Sequence, residues 1–90
     1  MAKLIQDISI GKNLKQLRKA QGLTQTDMCA RMGVIGRPMS QSTYAMIESG
    51  TRNIFVSDLL AMKTILNAEF EELFANLEPI NKYELDMKPR

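Results

Sequence analysis

The stretch GVIGRPMSQSTYAMIESG, residues 33–50, decides how this chain is read. Its second half has the pattern of a short helix. Ser40 can cap it, Tyr44 and Ile47 fall on one inward face, and Gly50 ends it. Gln41, Ser42 and Thr43 leave the first turn polar. Ahead of it stands TQTDMCARM, residues 24–32, where Thr24 and Asp27 have the spacing of a capping box and Leu23 can staple against Met28. Met28, Cys29 and Met32 supply its apolar side, and Gly33 is its expected end. The link between the two, VIGRPM, is longer than a tight helix-helix turn. Gly36 and Pro38 are turn residues, and Pro38 disfavours helix at Arg37.

Helical spacing continues on either side. Ile10, Leu14 and Leu17 predict a first helix that stops at Gly22, with Lys12, Lys15 and Lys19 on its other side. A fourth helix is expected to start at the cap Ser57, run through DLLAMKTIL and stop at Asn67, burying Leu59, Met62 and Leu66. A fifth, EFEELFANL, carries Phe70, Leu73, Phe74 and Leu77 at i, i+3, i+4 and i+7, and Pro79 cannot continue it. Only RNIFV, residues 52–56, has β character, and its place between two helices reads as an extended connection. The expectation is an all-α fold of five helices in one domain over residues 1–78. The tail, residues 79–90, has too few apolar residues to pack alone and is expected to be disordered or docked on a partner.

Composition narrows the function classes. A chain of 90 residues with 44% hydrophobic and 24% charged residues suits one globular domain. No apolar run approaches the roughly 20 residues of a membrane span, and MAKLIQDISI lacks the apolar core of a secretory signal. A cytoplasmic protein is expected, with no membrane partner. Cys29 stands alone, so neither an internal disulfide nor a cysteine-based metal cluster can form, and no cofactor or metal is expected. With no histidine, no phosphate-cradling glycine loop and no nucleophile-base set, an enzyme is not expected. Charge is unevenly spread. Residues 1–52 carry a net +5 and residues 53–90 a net −3, which fits either a mixed solvated surface or a basic half facing a polyanion with an acidic half away from it.

From about Ile10 to Phe74 the chain resembles the helix-turn-helix domain of the Cro and phage-repressor family, also called the xenobiotic-response-element family. The residues that carry the resemblance are Leu14, Leu17 and Arg18 in the first helix, GLTQ at 22–25, IESG at 47–50, Arg52, and the leucine-rich fourth helix followed by EELF at 71–74. The resemblance implies that the helix after Ser40 enters a DNA major groove while its other face packs inward. With Tyr44 and Ile47 inward, Gln41, Ser42, Ala45 and Met46 are the candidates for base readout. Gln can pair with adenine through two hydrogen bonds, and Ala or Met can touch a thymine methyl. Gln25, Thr51, Arg52 and Asn53 match the family's phosphate contacts, and Thr43 at the margin of the reading face is counted with them. Arg18 and Glu48 match a structural ion pair.

One departure from the family is the link itself, which carries about five residues more than the usual turn of about three. As a lengthened turn between helices two and three it can bulge outward while both helices keep their packing, with Arg37 a candidate phosphate contact. A second is that the recognition helix holds no Lys or Arg, so affinity would rest on flanking phosphate contacts or dimerisation. The implied function is a sequence-specific regulator of transcription that binds double-stranded DNA. The specific expectation is a repressor acting as a homodimer on a pseudo-palindromic operator, its half-sites about 34 Å apart. The alternative is an antitoxin-like interaction module whose acidic tail (Glu78, Glu84, Asp86) binds a protein partner.

Overall fold

Helix ends are set by local chemistry, and the computed structural model, which describes residues 3–80, shows the elements those ends delimit. In chain order they are β1 (Lys3–Leu4), α1 (Gly11–Ala20), α2 (Gln25–Val34), α3 (Gln41–Ser49), β2 (Ile54–Phe55), α4 (Val56–Leu66) and α5 (Phe70–Leu73). The tail expected from residue 79 lies, from residue 81 on, outside the described residues.

The capping box at the start of α2 is present in both halves: Thr24 accepts from the Asp27 amide, and Asp27 accepts from the Thr24 amide. Those bonds from Thr24 hold the Asp27 carboxyl below its usual range. Ser40 caps α3 by accepting from the Thr43 amide at 3.1 Å. Asn67 takes the left-handed conformation and ends α4 as expected.

Four expectations need correction. Helix α2 does not stop at Gly33 but runs through it to Val34. The left-handed residue is Gly36, at φ +92, and around it the Arg37 amide bonds to Met32 O and the Gly36 amide to Gly33 O. This is a complete Schellman end, and it draws residues assigned to the link into ordered structure. Helix α4 begins one residue before Ser57, with Phe55 as an N-cap that makes no side-chain bond. The segment RNIFV is not merely a connection, because Ile54 and Phe55 pair antiparallel with Leu4 and Lys3.

The fourth correction is α5, which covers only Phe70–Leu73 instead of reaching Leu77. The Asn13 side-chain amide donates to the carbonyls of both Leu73 and Ala75 at 2.9 Å, and Asn76 turns left-handed at φ 62. The chain is therefore bent out of the helix by a side chain from α1, well before Pro79. Of the expected stripe only Leu73 is fully buried, Leu77 is half-buried, and Phe70 and Phe74 stay exposed. The Lys63 ammonium lies 4.8 Å from the Phe70 ring and partly covers it.

The core is continuous. Leu14, Met28, Met32, Tyr44, Met62, Leu66 and Leu73 are fully or nearly fully buried, joined by Ile10, Ile47, Ile54 and Leu59, while Leu17 and Cys29 sit half-buried at its edge. Burial raises the Cys29 thiol pKa, which suits a packing role. Helix α1 packs on α3 and α5, and α2 packs on α3 and α4. Each fully buried large side chain adds roughly 1.5–3 kcal/mol, so this cluster holds α3 between the other helices. Among the described residues no helix is long and apolar enough to cross a membrane.

Candidate nucleic-acid interface

Helix α3 has a buried side and an open side. Tyr44, Ile47 and Glu48 are buried, whereas Gln41, Ser42 and Met46 are exposed and Ala45 is half-buried. The four candidate base-readout residues thus share the face turned from the core. Gln41 carries one tether: its Oε1 accepts from Thr26 Oγ1 at 3.3 Å, a long bond in an exposed place. A base edge can replace a bond of that kind at little cost.

The orientation of α3 is fixed by a buried network centred on Glu48. Arg18 Nε donates to Glu48 Oε2 at 2.7 Å and Arg18 Nη2 to Glu48 Oε1 at 3.1 Å, a two-point fork. Arg18 Nη1 also donates to the Leu23 carbonyl at 2.8 Å, and Gln25 Nε2 to Glu48 Oε1 at 3.2 Å. The side chains of the pair are only 8% and 3% exposed. The Glu48 carboxylate therefore ties α3 to α1 and to the first residue of α2, and Arg18 extends the tie to the loop after α1. The expected structural pair is in place, and Gln25 proves to be part of it.

Burial opposes the charge on Glu48, but the Arg18 guanidinium, the Tyr44 hydroxyl and Gln25 outweigh it and hold the carboxyl below its usual value. The bond to Glu48 raises the Arg18 pKa in turn, against the cost of desolvation. The Tyr44 hydroxyl is buried beside the pair and makes no hydrogen bond of good geometry, so its help is weaker than that of Arg18. Burial pushes the Tyr44 phenol up, so it stays neutral. Because the folded-state pKa of Glu48 is depressed, its contribution to stability is complete above the ordinary 4.5 and is lost as pH falls through the lower folded value. Melting temperature measured against pH should therefore drop on acidification below about 4.5. The drop should be shallower in Glu48→Gln, which has no carboxyl to protonate; equal slopes would remove Glu48 from the acid response.

Four candidate phosphate contacts line one cleft. Arg37, Thr43, Arg52 and Asn53 surround it together with Gly36, Pro38, Met39, Ile47, Phe55 and Asp58, enclosing about 300 Å³ beside α3. Arg52 is exposed. Asn53 accepts from the Gln6 amide at 3.1 Å, and Thr51 Oγ1 donates to the Met46 carbonyl at 3.3 Å, so both are held at the end of α3. Gln25 stands apart from this cleft, at the start of α2.

Arg37 does not bulge into solvent. Its Nε donates to Asp58 Oδ1 at 2.6 Å, which pins the lengthened turn to the first turn of α4. Side-chain exposure is 30% for Arg37 and 11% for Asp58. Asp58 is the residue that sequence reasoning missed: it neutralises part of the charge assigned to Arg37 and forms a wall of the cleft. No local pattern points to it, because its partner lies in a link with no helical period. Thr26 and Gln6, which hold Gln41 and Asn53, were likewise invisible for want of a local signal.

The chain matches the helix-turn-helix family HTH_3 over residues 14–73, from within α1 to the end of α5. No curated protein matches it. Among solved structures it is similar to the restriction-modification controller protein C.AhdI from Aeromonas hydrophila, at 32% identity and a TM-score of 0.62, over 72% of this chain and 91% of that one. It is also similar to an HTH_3 family transcriptional regulator from Vibrio cholerae, at 31% identity and a TM-score of 0.61, over 74% of this chain but only 35% of that one. With the capped helix pair, the open face of α3 and the Arg18–Glu48 tie in place, the chain belongs to the HTH_3 helix-turn-helix family of DNA-binding transcription regulators.

Proposed function

We propose that the protein is a sequence-specific transcriptional repressor that binds double-stranded DNA as a homodimer on a pseudo-palindromic operator. The observation that carries this reading is the placement of Gln41, Ser42, Ala45 and Met46 on the face of α3 turned from the core. In this reading Gln41 pairs with an adenine through Oε1 and Nε2 after releasing Thr26, and Met46 and Ala45 pack on thymine methyls. Ser42 adapts to either neighbour.

Phosphate oxygens position this face. The amide of Gln25, at the positive end of α2, is available to one phosphate while its side chain remains on Glu48. Arg52, Asn53, Thr51 and Thr43 take the strand that passes the end of α3, and Arg37 joins them through the terminal nitrogens of its fork. Since α3 carries no Lys or Arg, one protomer makes few charged contacts. Two protomers spaced about 34 Å apart on one duplex make binding bivalent and raise affinity without new contacts.

Gln41→Ala should lose about 1–3 kcal/mol on the preferred site and relax selectivity at one base position. Arg52→Ala should weaken all sequences alike and flatten the salt dependence by about one phosphate contact. Titrating both variants against the preferred and a scrambled duplex at several salt concentrations separates the two roles. Equal losses on every sequence for Gln41→Ala would take it out of the specificity set.

A further inference from the structure

An acid stands in the wall of a cleft assigned to phosphate. Asp58 lines that cleft together with Arg37, Thr43, Arg52 and Asn53, and its carboxylate repels a phosphate entering there. The bond it makes offsets that repulsion. Asp58 Oδ1 accepts from Arg37 Nε at 2.6 Å.

Arg18 and Arg37 each pair with a carboxylate and differ in what the pairing leaves over. Around Arg18, Glu48 takes Nε and Nη2, the Leu23 carbonyl takes Nη1, and the side chain is 8% exposed. Every nitrogen of that guanidinium serves the fold. Around Arg37, among the described residues, the bond falls on Nε, and the side chain is 30% exposed. A guanidinium holds its N–H donors in one rigid plane, so fixing Nε sets where Nη1 and Nη2 point without occupying them.

The other end of Arg37 is fixed as well. Its amide donates to Met32 O at 2.8 Å in the closing turn of α2, and Pro38 locks the φ that follows. Helix α2 packs on α4, which carries Asp58 in its first turn. The side chain thus runs between anchors on two elements that pack together, and its outer end faces the cleft. A long side chain held in this way loses less freedom on binding than an unrestrained one.

We propose that Asp58 is a positioning residue for DNA: it aims the outer edge of the Arg37 guanidinium at one backbone phosphate, where Nη1 and Nη2 donate to two phosphate oxygens. This role rests on the proposed DNA-binding function and assigns the lengthened turn a part in it. The turn mounts a charged contact rigidly beside α3, a helix that has no Lys or Arg of its own.

The test compares Asp58→Asn with Asp58→Ala. Both remove the same charge, but asparagine keeps an oxygen that accepts from Arg37 Nε and alanine has none. A difference between them in DNA binding therefore reads the bond and not the charge. Each change, alone and combined with Arg37→Ala, is titrated against a mixed-sequence duplex and against the most enriched duplex from a selection. The titrations cover a range of salt, below the melting temperature of every variant. The salt slope of Asp58→Ala should be shallower than that of Asp58→Asn by about one phosphate contact on both duplexes. That difference should vanish in the Arg37→Ala background. Single methylphosphonate substitutions in the enriched duplex should cost Asp58→Asn affinity at a position that Asp58→Ala ignores.

A tie that serves folding alone lowers the melting temperature of Asp58→Ala and leaves the two slopes equal, which overturns the proposal. Slopes that differ while the wild type prefers neither duplex uphold the role of Asp58 and count against base reading alone. Failure of the wild type to bind either duplex overturns both.

Discussion

Glu48→Ala is expected to destabilise the domain by about 3–5 kcal/mol, because it leaves the Arg18 guanidinium buried with no counter-charge. The cost arises from that stranded charge more than from the pair's own attraction. Replacing both partners by apolar residues, Arg18→Met with Glu48→Leu, should therefore cost far less than the sum of the two single changes. Denaturant midpoints of the wild type, both single variants and the double variant give the comparison directly. Additive losses would mean that the two side chains act independently. Because Glu48 also holds Gln25, the single change should loosen the start of α2 relative to α3 and weaken DNA binding beyond the loss of stability.

Gly11→Ala is expected to cost at least about 1–3 kcal/mol, the range of an overpacked core site. A Cβ at Gly11 would lie 2.2 Å from the Glu48 carbonyl oxygen and 2.6 Å from that of Ile47. Those atoms are helix backbone and cannot rotate away, so α1 and α3 must separate. The comparison is Gly33→Ala. Gly33 lies inside α2 with nothing within 4 Å of an added Cβ, so the change should stabilise by about 0.4–1 kcal/mol through the unfolded chain. Thermal melts of the two variants should shift in opposite directions. A neutral Gly11→Ala would show that the α1–α3 approach is looser than these distances require.

Both effects meet at α3, and they mark where sequence reasoning reached and where it stopped. The caps at Thr24 and Ser40, the inward pair Tyr44 and Ile47, and the Arg18–Glu48 tie were legible because each rests on spacing within a helix or on a motif of fixed order. The glycine that closes α2 was misplaced by three residues because Gly33 and Gly36 both qualify as a stop, and only the bonds from Arg37 to Met32 and from Gly36 to Gly33 choose between them. Helix α5 was read too long because Asn13, from α1, takes the carbonyls of Leu73 and Ala75. The strand pair of β1 and β2 joins two short segments far apart in sequence and leaves no periodic trace.

The candidate site follows the same division. The open face of α3 was legible because the side turned inward determines the side left out. The tethers were not: Asp58 on Arg37, Thr26 on Gln41 and Gln6 on Asn53 are contacts between elements that only the fold brings together. The lengthened turn shows the difference most clearly. Its Gly and Pro residues indicated a loop but not how it is held: α2 absorbs its first residue, Gly36 closes the helix, and Arg37 fastens the remainder to α4.

In the proposed function α3 reads base sequence and does not merely rest on the duplex. The most direct measurement is a selection from random duplex DNA at physiological salt, run in parallel with the wild type and Gln41→Ala and followed by sequencing of the retained pool. A sequence-reading dimer gives an enriched inverted repeat with half-sites about one helical turn apart for the wild type, and loss of selectivity at one symmetric base position for the variant. Retention with no enriched sequence, fading as salt rises, would contradict it.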